Sequence, residues 1–100
     1  MTVVKKRQES FKFRLFVAGG APNSAQALAN LDAICREHLQ FRYDVEVVDV
    51  FREPKRALAD GIIMTPTLCK LAPAPVRKII GTLSQTATVL EALGLETSAL

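Results

Sequence analysis

IIMTPTLCK, residues 62–70, is an apolar, strand-like run that meets Thr65-Pro66-Thr67 in its middle. It reads as extended backbone interrupted by Pro66, since proline cannot donate to a strand ladder. Upstream, EPKRALADG (residues 53–61) has Pro54 suited to a first helical position and Gly61 suited to the C-terminal cap, so a short helix precedes the run. Downstream, APAP (72–75) is a turn or a short polyproline stretch, and VRKII (76–80) is a further strand. Ser84 is placed to cap a last helix in which Ala87, Leu90 and Leu93 share a face and Gly94 closes the end.

The first half is more regular. FKFRLFVA (11–18) alternates and then turns continuously apolar, as a strand does on entering the covered centre of a sheet. GGAPNS follows as a turn, with Asn23 or Ser24 able to cap a helix whose Leu28, Leu31, Ile34, Cys35 and Leu39 recur at helical spacing. YDVEVVDV (43–50) alternates and is rich in β-branched residues, giving a second strand. Strand, helix, strand predicts a parallel βαβ unit with a right-handed crossover.

The order is therefore βαβ-αββα, a small mixed sheet with helices on both faces, which is the thioredoxin arrangement. A thioredoxin-like enzyme attacks disulfides with a thiolate whose pKa is lowered at a helix N-terminus. The loop that would carry it here reads VAGGAPNS and has no cysteine. Ser24 is close to that helix start, but serine needs a general base and no histidine is near it in sequence. Gly19-Gly20 lacks the further glycines of a dinucleotide or P-loop pattern and reads as a tight turn. A binding protein, not a catalyst, is expected.

Composition narrows the field. One hundred residues form a single domain, and 49% hydrophobic with 23% charged residues is ordinary for a globular chain. The expected plan is one domain over 1–100, with a flexible basic N-terminus at 1–10 and a short tail at 95–100. No apolar run reaches the roughly 20 residues of a membrane span, and MTVVKKRQES has no apolar segment after its basic residues, so a cytoplasmic location is expected. The net charge of +3 and the lack of a basic tract beyond Lys5-Lys6-Arg7 argue against a nucleic-acid partner. Phe11 and Phe13 between Lys12 and Arg14 read as one buried and one solvated strand face, not as a base-stacking platform. Cys35 and Cys69 are too far apart for a C-x-x-C motif, and as cytosolic cysteines in apolar surroundings they read as small buried hydrophobes. Cys35 with His38, the only histidine, offers too few ligands for zinc, so no metal or cofactor is expected.

LFVAGGAPNSAQAL (15–28), VEVVDVFREP (45–54) and above all MTPTLCKLAPAPVRKIIGTLS (64–84) together resemble the KaiB family of circadian-clock proteins, across about Phe11 to Leu93. That resemblance implies a thioredoxin-like, non-enzymatic adaptor that binds a KaiC-type hexameric ATPase and autokinase and modulates its phosphorylation cycle. It also implies links to a KaiA-like protein or a sensor histidine kinase. It further implies a metamorphic chain: a resting homodimer or homotetramer whose second half is βααβ, and a partner-binding monomer whose second half is αββα. Two packings of one chain coexist only within a few kcal/mol of each other, in keeping with the mixed local signals after residue 53. Candidate partner contacts are Lys55, Arg56, Arg77 and Lys78; candidate hinge positions are Pro66, Pro73, Pro75 and Ala92, the last standing where many relatives have glycine. The Thr65-Pro66 bond is expected cis in the thioredoxin-like form and trans in the resting one. Two other functions stand beside this one: a stress-response adaptor of another kinase, and a divergent thiol oxidoreductase using Cys69 with Lys70 as its electropositive neighbour.

Overall fold

The computed structural model describes residues 10–40 and 42–95. The basic N-terminal segment and the tail beyond Leu95 lie outside the described residues. The elements run β1 (Phe11–Val17), α1 (Pro22–His38), β2 (Tyr43–Asp49), α2 (Pro54–Ala59), β3 (Thr67–Ala72), β4 (Arg77–Ile80) and α3 (Thr86–Ala92). The sheet order is β2-β1-β3-β4. β1 pairs with β2 in parallel and with β3 antiparallel, and β3 pairs antiparallel with β4. The second half is thus αββα, and the expected cis bond is present at Thr65-Pro66, with two more at Ala72-Pro73 and Ala74-Pro75.

Alternation in β1 builds two cores. Phe11, Phe13, Leu15 and Val17 face α1 and α3, where Leu31, Ile34, Cys35, Val89, Leu90 and Leu93 complete the larger cluster. Phe16 faces the other way, onto Val48, Cys69 and Ala57 of α2. Phe11 and Phe13 are buried and Lys12 exposed, so the aromatic pair serves the core, as the alternation predicts.

Several local expectations are corrected. Asn23 and Ser24 do not cap α1: Pro22 opens the helix, Ala21 is the N-cap, and no side chain caps it. The residue before a proline is pushed out of the helical region, which fixes the boundary two residues before Asn23 and three before Ser24. Ser24 is buried inside the helix, where its Oγ accepts the Ala18 N–H at 3.0 Å. Leu28 is 42% exposed, and Ala27 occupies the sheet-facing place. A small side chain there lets the helix approach β1 closely. Ser84 lies one residue outside the Gln85 cap of α3, its Oγ accepting from Thr82 Oγ1 at 3.2 Å. Ala87 is exposed, and Val89, Leu90 and Leu93 carry the buried face. Ile62–Met64 are not in a strand; β3 starts after Pro66, and Ile63 is 90% exposed.

The glycine stops hold. Gly61 at φ +68 and Gly94 at φ +82 follow α2 and α3. At α2, Ile62 N–H donates to Ala57 O at 2.9 Å and Gly61 N–H to Leu58 O at 3.0 Å; at α3, Leu95 N–H donates to Leu90 O at 2.8 Å and Gly94 N–H to Glu91 O at 3.1 Å. Both are Schellman closures, which need a left-handed residue that glycine adopts without strain. Ala92 is the last residue of α3, at the helix end and not in its interior.

Candidate functional site

The β1–α1 loop sits where the sheet delivers its two parallel strands. Phe16 pairs with Thr67, which brings Pro66 beside the exit of β1 into Ala18–Ala21. Asp49 at the end of β2 ties this corner together: its Oδ1 accepts the Gly19 N–H at 3.2 Å and the Phe51 N–H at 2.9 Å. Gly19 has φ +55, and a Cβ there would come within 3.7 Å of the Phe51 ring. No thiol, imidazole or carboxylate pair occupies the loop; instead its surroundings are apolar and open, with Phe51 74% exposed and Met64 56% exposed. Composition did not reveal this patch, although three consecutive apolar residues directly before a turn-forming Thr-Pro were the available signal.

The four basic candidates do not form one cluster. Lys55 and Arg56 line a depression of about 360 Å³ with Arg52, Glu53 and Pro54. Arg56 is held there, its Nη1 donating to Glu46 Oε2 at 2.7 Å and its Nη2 to Glu46 Oε1 at 3.0 Å. Arg14 joins the same carboxylate through Nε at 2.9 Å and reaches Asp60 Oδ2 through Nη1 at 2.9 Å. Lys78, on the α2 face of β4, donates to Asp60 O. Arg56 and Lys78 therefore serve first to hold α2 across the sheet, and Arg56 is half-buried. Lys55 has no ion-pair or hydrogen-bond partner among the described residues.

Arg56, then Arg14, hold the Glu46 carboxyl down at about 2. A folded value below that of a free carboxyl gives stability that is complete above the unfolded value near 4.3 and is lost as pH falls toward 2. The urea midpoint should fall over that window, and Glu46→Gln should flatten this limb of the profile. Because the pair is exposed, 1 M salt should flatten it too.

Arg77 lies on the opposite face, in a cleft of about 480 Å³ between the β3–β4 hairpin and α3, with Pro75, Ala92 and Lys70 also in its walls. Lys70 is the residue that sequence reasoning misjudged. It is 3% exposed, its Nζ donating to Leu93 O at 3.3 Å and lying 5.8 Å from the Phe11 ring centroid. Period-2 counting from Leu68 already placed it inward. Cys69 points to the α2 side, so Lys70 gives its thiol no support. Burial pushes the Cys69 thiol up, against the smaller downward pull of Lys78. Cys35 is pushed up to about 12 by burial and, to a lesser extent, by Asp32. His38, at the end of α1, is 3.7 Å from Glu37, and no group of three or more potential metal ligands occurs among the described residues. No described helix is long and apolar enough to cross a membrane.

This is a thioredoxin-like scaffold whose active-site corner holds no dithiol. The outline is shared with the N-terminal domain of Synechococcus elongatus SasA (TM-score 0.71, 16% identity, covering 100% of this chain and 98% of that one). It is shared also with chloroplastic thioredoxin z (TM-score 0.71, 20% identity, covering 87% and 78%). The KaiB domain family model matches residues 14–95. Circadian clock protein KaiB3 of Synechocystis sp. is 46% identical over 83 residues, covering 83% of this chain and 79% of the relative. Circadian clock oscillator protein KaiB of Microcystis aeruginosa is 46% identical over 95 residues, covering 95% and 88%. The chain belongs to the KaiB family.

Proposed function

We propose that this chain is a non-enzymatic clock or signalling adaptor that docks on a KaiC-type hexameric ATPase and modulates its phosphorylation cycle. The observation that carries the reading is family membership on a thioredoxin-like scaffold whose β1–α1 loop contains no nucleophile. Both thiols are buried with raised pKa values, which speaks against the oxidoreductase alternative. The αββα half corresponds to the partner-binding arrangement, and rearrangement to the resting oligomer centres on Pro66, Pro73, Pro75 and Ala92. A KaiA-like protein or a sensor histidine kinase is a further partner, and the setting is cytoplasmic. Lys55, Arg56, Arg77 and Lys78 supply contacts; Lys55 leads, because its charge is not engaged by any of the described residues.

Size-exclusion chromatography with a KaiC-type hexamer and ATP tests this. Co-elution that develops slowly is expected, with Lys55→Glu weakening the complex at least about fivefold. Absence of any complex after a day of incubation would refute the proposal.

A further inference from the structure

α2 is held to the sheet by charge more than by apolar contact. Ala57 is its one buried residue, whereas α1 buries Ser24, Ala27, Leu31, Ile34 and Cys35. Its six residues are far below the roughly 12–15 at which an isolated helix holds in water. Beneath Ala57 lies the smaller core cluster of Phe16, Val48 and Cys69, while Leu58, the next residue along, is 77% exposed. The remaining anchors are polar and reach three strands. Arg56 makes its bidentate contact with Glu46 of β2. Asp60, the C-cap, accepts from Arg14 of β1 through its carboxylate and from Lys78 of β4 through its carbonyl. Arg14 also donates to Glu46, which closes the chain Arg56–Glu46–Arg14–Asp60. An isolated exposed pair contributes little to stability, but bidentate geometry and a connected set of charges are the cases that do contribute.

We propose that α2 is a strap sensitive to ionic strength, which lifts from the sheet as a unit while the rest of the fold stays closed and thereby uncovers Phe16, Val48 and Cys69. Segments with few buried apolar contacts open at the lowest free energy in a native structure. The side chains of Arg14, Glu46, Arg56 and Asp60 are 25–46% exposed, so mobile ions reach them. Screening then acts directly on the linkage, since the Debye length falls from about 30 Å at 0.01 M salt to about 3 Å at 1 M. On the other face, α1 and α3 are joined to β1 through apolar side chains, a contact that screening does not weaken. The strap is a property of this fold and is independent of docking to any ATPase.

Native-state hydrogen exchange of the full chain, in about 0.01 M and about 1 M NaCl, tests this. The amides of Asp60, Gly61 and Ile62 bond to carbonyls of α2. They should lose at least about tenfold in protection at high salt, while those of Leu15 and Leu31 change by less than about twofold. Arg56→Gln at low salt should reproduce the loss and remove most of the further salt effect. Arg56→Lys keeps the charge without the planar fork and should fall between the two. In the high-salt buffer iodoacetamide should label Cys69 faster than at low salt and leave Cys35, in the other cluster, unlabelled. Protection at residues 60–62 that salt leaves unchanged would mean that apolar contact alone holds the helix. Protection that falls in step with Leu15 and Leu31 would mean that the helix has no opening of its own. Either result overturns the proposal.

Discussion

Ellman's reagent at pH 8 should leave both thiols of the native chain unmodified over a period in which it titrates them fully in guanidinium. The Cys35 thiol, pushed up to about 12, is a thiolate about once in 10⁴ molecules at that pH, against roughly a quarter for a free cysteine near 8.5. Reaction through the folded state should therefore be slower by about 10³ before steric exclusion is counted. Cys69 is raised in the same direction, with burial outweighing Lys78. Rapid modification of one equivalent, abolished by Cys69→Ser, would reinstate the oxidoreductase reading. The assay decides, without any partner in the tube, whether either thiol is available for thiol chemistry.

Backbone chemistry was legible wherever a single residue dictates it. Pro54 opens α2, Gly61 and Gly94 close α2 and α3, and the alternation of Phe11–Arg14 sorts the faces of β1. Side-chain caps were not legible, because Asn23, Ser24 and Ser84 carry the right chemistry beside boundaries set by other residues. Pro22 moved the start of α1, and the chain between Gly81 and Leu83, both at positive φ, turns Leu83 into the core before α3 begins. The candidate cations illustrate a different limit. Their type showed in the sequence, but the engagement of Arg56 by Glu46, 10 residues away, and of Lys78 by the Asp60 carbonyl, 18 residues away, depends on how the fold brings them together. Lys70 is the sharpest case, since a lysine at an inward strand position is usually a reason to doubt the strand. Here the end of α3 supplies its acceptor, a partner 23 residues distant that no local pattern predicts.

Phe13→Ala and Leu93→Ala should both be costly, and their difference is the informative quantity. Phe13, 5.9 Å from Phe11 between ring centroids, and Leu93 are both fully enclosed in the larger core. Truncation should cost about 3–5 kcal/mol for Phe13 and 2–5 kcal/mol for Leu93 in urea unfolding, from lost transfer energy plus the residual cavity. Against the 5–15 kcal/mol of a typical domain these are large effects. Phe13 belongs to the βαβ half that the proposed rearrangement leaves intact, so its loss weakens both packings and leaves their ratio nearly unchanged. Leu93 anchors α3, which the proposed rearrangement would dismantle, so on that proposal its loss also shifts the balance toward the resting arrangement. When the competent form is a minor fraction, apparent affinity falls in proportion to that fraction, and 2 kcal/mol corresponds to roughly thirtyfold. Leu93→Ala should therefore lose at least about tenfold in apparent affinity for a KaiC-type hexamer and gain oligomer on size exclusion. Phe13→Ala should lose binding only as far as it unfolds. Equal loss of affinity per unit of lost stability in the two variants would mean that α3 has no alternative packing, and the rearrangement would have to be abandoned.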